Sequence, residues 1–316
     1  MSAQPTALAR RKRLWRISAA FAVLIGLAVY LVVQYVTGGP GAPRCTVQAE
    51  GAEGNTEAYE MTPEQAANAA TISAVASSRG LPERAVTIAI ATAMQESGLR
   101  NIDFGDRDSV GLFQQRPSQD WGTVKQIMDP VYSAGEFYRH LAKVPGYSRL
   151  PLTVAAQKVQ RSGYPQAYAK HEANAARLTG ALTGRDGAAL TCTQSRPVDD
   201  QTGGGATVRE KLVREFGPEV LPRTTGAGGR DAAGARSVTV PVRPAGPGTA
   251  GTTAQRGWEL ATWAMAHSAD LRIEQISYAG RTWTAADSGK GWQKKPTGSD
   301  AAAGRSAGDV RIITAQ

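Results

Sequence analysis

Histidine and cysteine are the scarcest chemical groups of this chain. Its three histidines, His140, His171 and His267, lie far apart with no His-x-His or His-Glu-x-x-His spacing. A zinc peptidase or amidase centre therefore lacks a ligand set, and neither metal nor cofactor is expected. There is no Gly-x-x-x-x-Gly-Lys phosphate loop and no Gly-x-Ser-x-Gly elbow, which argues against nucleotide hydrolysis and serine-hydrolase chemistry. The only cysteines, Cys45 and Cys192, flank one continuous segment rather than sitting inside it, a poor arrangement for a catalytic thiolate. In an oxidising compartment they would form a bridge tying the ends of that segment together; two unpaired thiols are the alternative. Acidic residues are absent before Glu50, whereas Arg10, Arg11, Lys12, Arg13 and Arg16 place five positive charges there, against a formal net charge of +9 for the whole chain. The remaining basic excess is mild and no signature of nucleic-acid binding.

Residues 17–36 are apolar except for Ser18, Gly26 and Gln34, the length a helix needs to cross roughly 30 Å of hydrocarbon. With the basic cluster before it, this segment is expected to be a retained membrane helix with residues 1–16 cytoplasmic. The expected location is the cell membrane, single-pass, with everything after residue 36 outside the cytoplasm. A cleaved signal peptide is the alternative.

After a spacer at 37–58, residues 59–192 read as an α-helical domain. Thr62, Pro63 and Gln65 form an N-cap, an N1 proline and a capping-box partner. Pro82 opens a helix that is apolar almost all round from Ala85 to Met94, hence buried. Asp129-Pro130, Thr153 and Pro165 open three more, reaching about Lys143, Arg161 and Leu182. Residues 193–256 are rich in Gly, Thr, Pro and Arg and read as a flexible linker, with a short helix allowed at 207–216. Residues 257–316 suggest a small α+β module: a helix around Trp258–Met265, then strand-like runs at Ile273–Tyr278, Arg281–Trp283 and Val310–Ile313. The fold class expected is thus mainly α, with a transmembrane helix and a small α+β module.

The densest stretch for chemistry runs from Met94 to Ser118. Glu96-Ser97-Gly98-Leu99 followed by Gly111-Leu112-Phe113-Gln114 resembles the lysozyme-like superfamily of soluble lytic transglycosylases, goose-type lysozymes and resuscitation-promoting factors. Those two motifs carry the catalytic acid and part of the sugar cleft in that superfamily. Gly163-Tyr164-Pro165 with Tyr168 stands where transglycosylases carry Ala-Tyr-Asn-Ala-Gly, but without the Asn. The resemblance implies Glu96 as general acid and base, and Ser97, Gly111, Leu112, Phe113, Gln114, Gln115, Trp121 and Tyr164 as substrate-binding residues. Trp258 to Ile313 resembles a domain that follows wall-hydrolase modules in actinobacterial proteins, without the histidines of its zinc-bearing members.

The chemistry agrees with that acid. Glycoside cleavage needs a carboxyl still protonated near neutral pH, and a glutamate ending an apolar helix has its pKa raised by burial and by the negative end of the helix dipole. Asp103, Asp106 and Asp108 are the candidates for a second carboxylate that would hold a water; their alternative role is turn formation. The expected activity is muramidase or lytic transglycosylase action on peptidoglycan glycan strands, with no nucleic-acid partner. The alternative is a non-catalytic, lysozyme-like glycan-binding or envelope-assembly scaffold.

Overall fold

The computed structural model describes residues 7–37, 42–48, 58–164, 166–194, 204–222, 236–243, 251–294 and 308–315. The chain divides into two units, Met1–Pro43 and Arg44–Gln316. In the first, helix α1 runs from Ala7 to Thr37. Among the described residues no helix is long and apolar enough to cross a membrane, which overturns the expected transmembrane helix at 17–36.

In the second unit, α2 (Pro63–Ser78) starts where the capping signals place it. Thr62 Oγ1 accepts from the Gln65 amide, and Gln65 Oε1 accepts from the Thr62 amide at 2.8 Å. The all-round apolar helix is α3 (Glu83–Ser97), whose residues 85–94 are all buried. Around it stand α4 (Val124–Ile127), α5 (Pro130–Leu141), α6 (Leu152–Gln160) and α7 (Glu172–Leu182). Asp129 caps α5 by accepting from the Val131 amide at 3.0 Å. The helix expected from Pro165 begins only at Glu172: residues 166–168 form a turn, and Ala169–His171 a single 3-10 turn. Pro165 itself lies outside the described residues.

The two ends of this helical layer are joined by a small antiparallel sheet of β1 (Cys45–Val47), β2 (Tyr59–Met61) and β3 (Leu190–Cys192), in the order β2-β1-β3. Cys45 stands opposite Cys192 across β1 and β3, and the two form a disulfide. By constraining the unfolded chain over 147 residues, such a bridge contributes about 2–5 kcal/mol.

Among the described residues, the span expected as a linker, 193–256, contributes a helix, a 3-10 turn, a strand and the first turn of a further helix. Helix α8 (Gly205–Phe216) buries Val208, Leu212 and Phe216, an i, i+4, i+8 stripe, and packs on α2. Strand β4 (Ser237–Val240) forms one edge of a five-stranded sheet. Residues 195–203, 223–235 and 244–250 of that span lie outside the described residues. The sheet is completed by β5 (Ile273–Tyr278), β6 (Arg281–Thr284), β7 (Gln293–Lys294) and β8 (Val310–Thr314), in the antiparallel order β4-β8-β5-β6-β7. Helix α9 (Thr253–Ala266) packs between β5 on one side and α2 and α7 on the other.

A buried polar cluster sits where α2, α8 and α9 meet. Glu215 accepts from Thr71 Oγ1 at 3.0 Å and from Trp263 Nε1 at 2.7 Å. Lys211 Nζ lies 3.3 Å and His267 Nε2 3.5 Å from the same carboxylate, and His267 Nδ1 lies 3.1 Å from Asp270. Burial alone would raise the Glu215 pKa, but His267, Lys211 and the Trp263 donor outweigh it and hold it at about 2. Burial alone would lower that of His267, but Glu215 and Asp270 raise it.

Candidate active site around Glu96

Glu96 is the penultimate residue of α3, and Gly98, at φ 64°, ends the helix in the left-handed region that glycine adopts without strain. The carbonyls left free at this end are taken up by α2: Gln65 Nε2 donates to Gly98 O at 2.7 Å and Asn68 Nδ2 to Leu99 O at 2.8 Å. The C-terminal end of α3 is thereby fixed, and with it the direction of the Glu96 side chain.

Burial raises the Glu96 pKa, and hydrogen bonds from Tyr168 and Gln160 partly counter that rise. Tyr168 Oη donates to Glu96 Oε1 at 2.7 Å. Its own pKa is raised by burial first, then by the adjacent carboxylate, so the phenol keeps its proton and remains a donor. Gln160, the last residue of α6, also donates through Nε2 to Phe113 O at 2.7 Å. One amide thus links the acid to the loop bearing the second motif. Behind the site, His171 Nε2 lies 3.2 Å from Gln95 Oε1.

Ser97 fastens that loop from the other side. Its hydroxyl bonds to Ala93 O at 3.1 Å and to Leu112 O at 2.8 Å, and the residue is buried. Residues 110–115 turn back on themselves, with Val110 and Gln115 bridged by paired backbone bonds. Gly111 has φ 78°, and a Cβ there would come within 2.8 Å of Ile127 O, so no larger residue fits.

The structure places most of the expected substrate contacts inside the protein. Ser97 is a buried tie between helix and loop, and Gly111 is a turn residue. Leu112 and Phe113 are fully buried, with Phe113 stacked on Phe137 at 4.7 Å between ring centroids. Gln115 is buried and donates to Ser133 O at 3.0 Å. Trp121 is buried and stacked on His140 at 4.2 Å. These residues shape the loop from within, because an apolar run this short serves the core before it serves a ligand. Gln114 is half-buried, in the left-handed region at φ 47°, and its amide spans the loop to Phe104 O and Gly111 O, both at 3.3 Å. Tyr164 is exposed and is not the tyrosine that reaches Glu96.

Among the loop acids, Asp108 is engaged by Arg116 Nε at 2.8 Å, the Ser118 amide at 2.8 Å and the Ser118 hydroxyl at 3.0 Å. Arg116 and these donors hold its carboxyl well below the usual carboxylate range, which makes Asp108 a clasp across residues 108–118. Asp103 and Asp106 are exposed. Among the described residues no group of three or more His, Cys, Asp or Glu side chains is placed to hold a metal ion.

Gln160 is the contact that motif reading misses, since it carries no signal beyond closing a helix. Tyr168 belongs to the third motif match, four residues past Tyr164, the tyrosine given the substrate-binding role. A family model described as VldE, C-terminal domain, matches residues 207–304. A comparison with curated proteins finds no match. The family match covers about a third of the chain, from α8 through β7, and leaves Glu96 and its neighbours outside it.

Proposed function

We propose that this protein cleaves the glycan strands of peptidoglycan between N-acetylmuramic acid and N-acetylglucosamine, with Glu96 as general acid and then base. The observation that carries the reading is the Glu96 carboxyl, its pKa raised by burial at the end of α3 yet held by the Tyr168 hydroxyl. A carboxyl so placed holds its proton to higher pH than a free one and presents it in one direction, which protonation of a glycosidic oxygen demands. Glu96 protonates that oxygen as the C1–O bond breaks and positive charge develops at C1. The muramyl C6 hydroxyl attacks C1, and the Glu96 carboxylate takes its proton, leaving a 1,6-anhydro end without consuming water.

This route needs one carboxyl. Water-dependent inversion would need a second carboxylate; Asp108 is committed to Arg116 and Ser118, which leaves Asp103 and Asp106 as the candidates for it. The disulfide between Cys45 and Cys192 supports an oxidising setting outside the cytoplasm, where this polymer lies.

The test is the release of soluble fragments from purified peptidoglycan by the full chain and by Glu96→Gln. The glutamine keeps the size and loses the proton, so release is expected to fall at least about a hundredfold. Equal release by both chains would remove Glu96 from the chemistry. No release by either, with both chains retained on the polymer, would favour a glycan-binding scaffold instead.

A further inference from the structure

At the opposite end of α3 from Glu96, a cavity of about 520 Å³ opens where the α2–α3 corner meets the start of α9. That volume lies within the range of about 300–1,000 Å³ that small-molecule clefts occupy. Glu83, on its wall, opens α3, and Glu96 is the penultimate residue of the same helix. At about 1.5 Å per residue the two lie about 20 Å apart along the helix axis. The cavity is therefore separate from the candidate active site.

Every formal charge on its walls has a partner within the protein. Glu83 pairs with Arg185, Arg84 with Glu172 at 3.0 Å, and Arg256 with Glu259. A charged ligand would compete with one of these pairs, and separating a half-buried pair leaves a charge uncompensated. The groups with hydrogen-bonding capacity to spare are neutral. Ser73, on the α2 wall, is buried, and its Oγ has no hydrogen-bond partner among the described residues. A buried hydroxyl left so is costly until something satisfies it. On the α9 wall, Gln255 Nε2 donates one of its two N–H groups to Glu83 Oε1 at 3.1 Å. Leu81, Pro82 and Val86 add aliphatic surface beside these polar groups.

We propose that this cavity binds a neutral, hydroxyl-rich ligand of one or two sugar rings. Ring hydroxyls both donate and accept, so they can satisfy Ser73 and Gln255 without disturbing the ion pairs, while the C–H groups of the ring lie on the aliphatic surface. The site stands independently of the cleavage reading, because it uses no residue of the Glu96 site.

The experiment follows backbone amide resonances of the full-length chain carrying Glu96→Gln during titration with N-acetylglucosamine dimer, with maltose as a second neutral sugar and with inorganic phosphate as a charged probe. Amides of Gly80, Leu81, Thr183 and Gln255 are expected to move with a neutral sugar and to stay in place with phosphate. Movement with the dimer but not with maltose assigns the ligand to a wall glycan, and movement with both assigns it to neutral sugars at large. Ser73→Ala is expected to weaken binding about tenfold. Since it removes a hydroxyl bonded to nothing in the free chain, it should melt no lower than its parent. Gln255→Ala is expected to weaken binding likewise. Shifts confined to residues 96–99 and 110–115, a response to phosphate alone, no response to any probe, or unchanged affinity in both alanine variants overturns the proposal.

Discussion

Tyr168 acts on Glu96 in one chemical direction and one geometric one. Its hydroxyl favours the ionised carboxylate, opposing the larger effect of burial, and it fixes Oε1 in place. Because an acid catalyst is lost as pH rises through its pKa, removing a bond to the ionised form moves that pKa up. In Tyr168→Phe the alkaline limb of the pH–rate profile is therefore expected to shift to higher pH. Its maximum should fall about tenfold from looser positioning, and an unshifted limb would show that the phenol does not control the acid. At this scale the sequence was only partly legible. Glu96 and Ser97 stand out as a motif, but Leu112, Phe113 and Gln115 look like cleft residues while being core residues. A short motif does not reveal which face of a tight turn is buried. Tyr168 became reachable only because residues 166–171 are not regular helix, a break the residue pattern did not announce.

Helix starts were the most legible elements, since caps are local chemistry. Thr62 with Gln65, and Asp129 before Pro130, do what their spacing implies. Thr62→Ala should cost about 1 kcal/mol in urea unfolding, with the slope unchanged. Because Gln65 also donates to Gly98 O, this substitution should in addition loosen the end of α3, visible as faster amide exchange at Leu99. Elements made by long-range pairing were less legible. Strand β4 is four residues long and is held by β8, more than seventy positions later, so nothing local distinguishes it from the Gly- and Pro-rich sequence around it. The strands β5, β6 and β8 were readable because their β-branched and aromatic residues cluster. The apolar run in α1 illustrates the converse: composition alone suggested a span that the described helix does not provide.

At the scale of the whole molecule, the Glu215–His267 pair lies within the family-matched segment, and the Thr71 hydroxyl bond to Glu215 ties it to α2 of the helical layer. Two titrations bound its contribution. Glu215 is held at about 2, so its share of stability is present above the ordinary carboxylate range and lost as pH falls through about 2. The His267 pKa is raised, so its share is complete below the ordinary value of 6.5 and is lost as pH rises through the raised one. Lys211 and Asp270 face the same cluster and reinforce the two shifts, Lys211 lowering that of Glu215 and Asp270 raising that of His267. Melting temperature is therefore expected to hold between about pH 4.5 and 6.5 and to decline above it. His267→Gln should flatten that decline and cost on the order of 3 kcal/mol at pH 6, since it leaves Glu215 buried beside one cation fewer. Parallel melting curves for the two chains across this range would show that the pair is not coupled to folding.

The central claim, cleavage by one carboxyl, is tested most directly by mass spectrometry of the fragment ends released from purified peptidoglycan by the full chain, beside Glu96→Gln. The expected products are 1,6-anhydromuramyl ends that vanish in the glutamine variant and persist in Asp103→Asn and Asp106→Asn. Reducing ends that disappear when either aspartate is replaced would contradict it, because they would establish a second carboxylate and an attacking water.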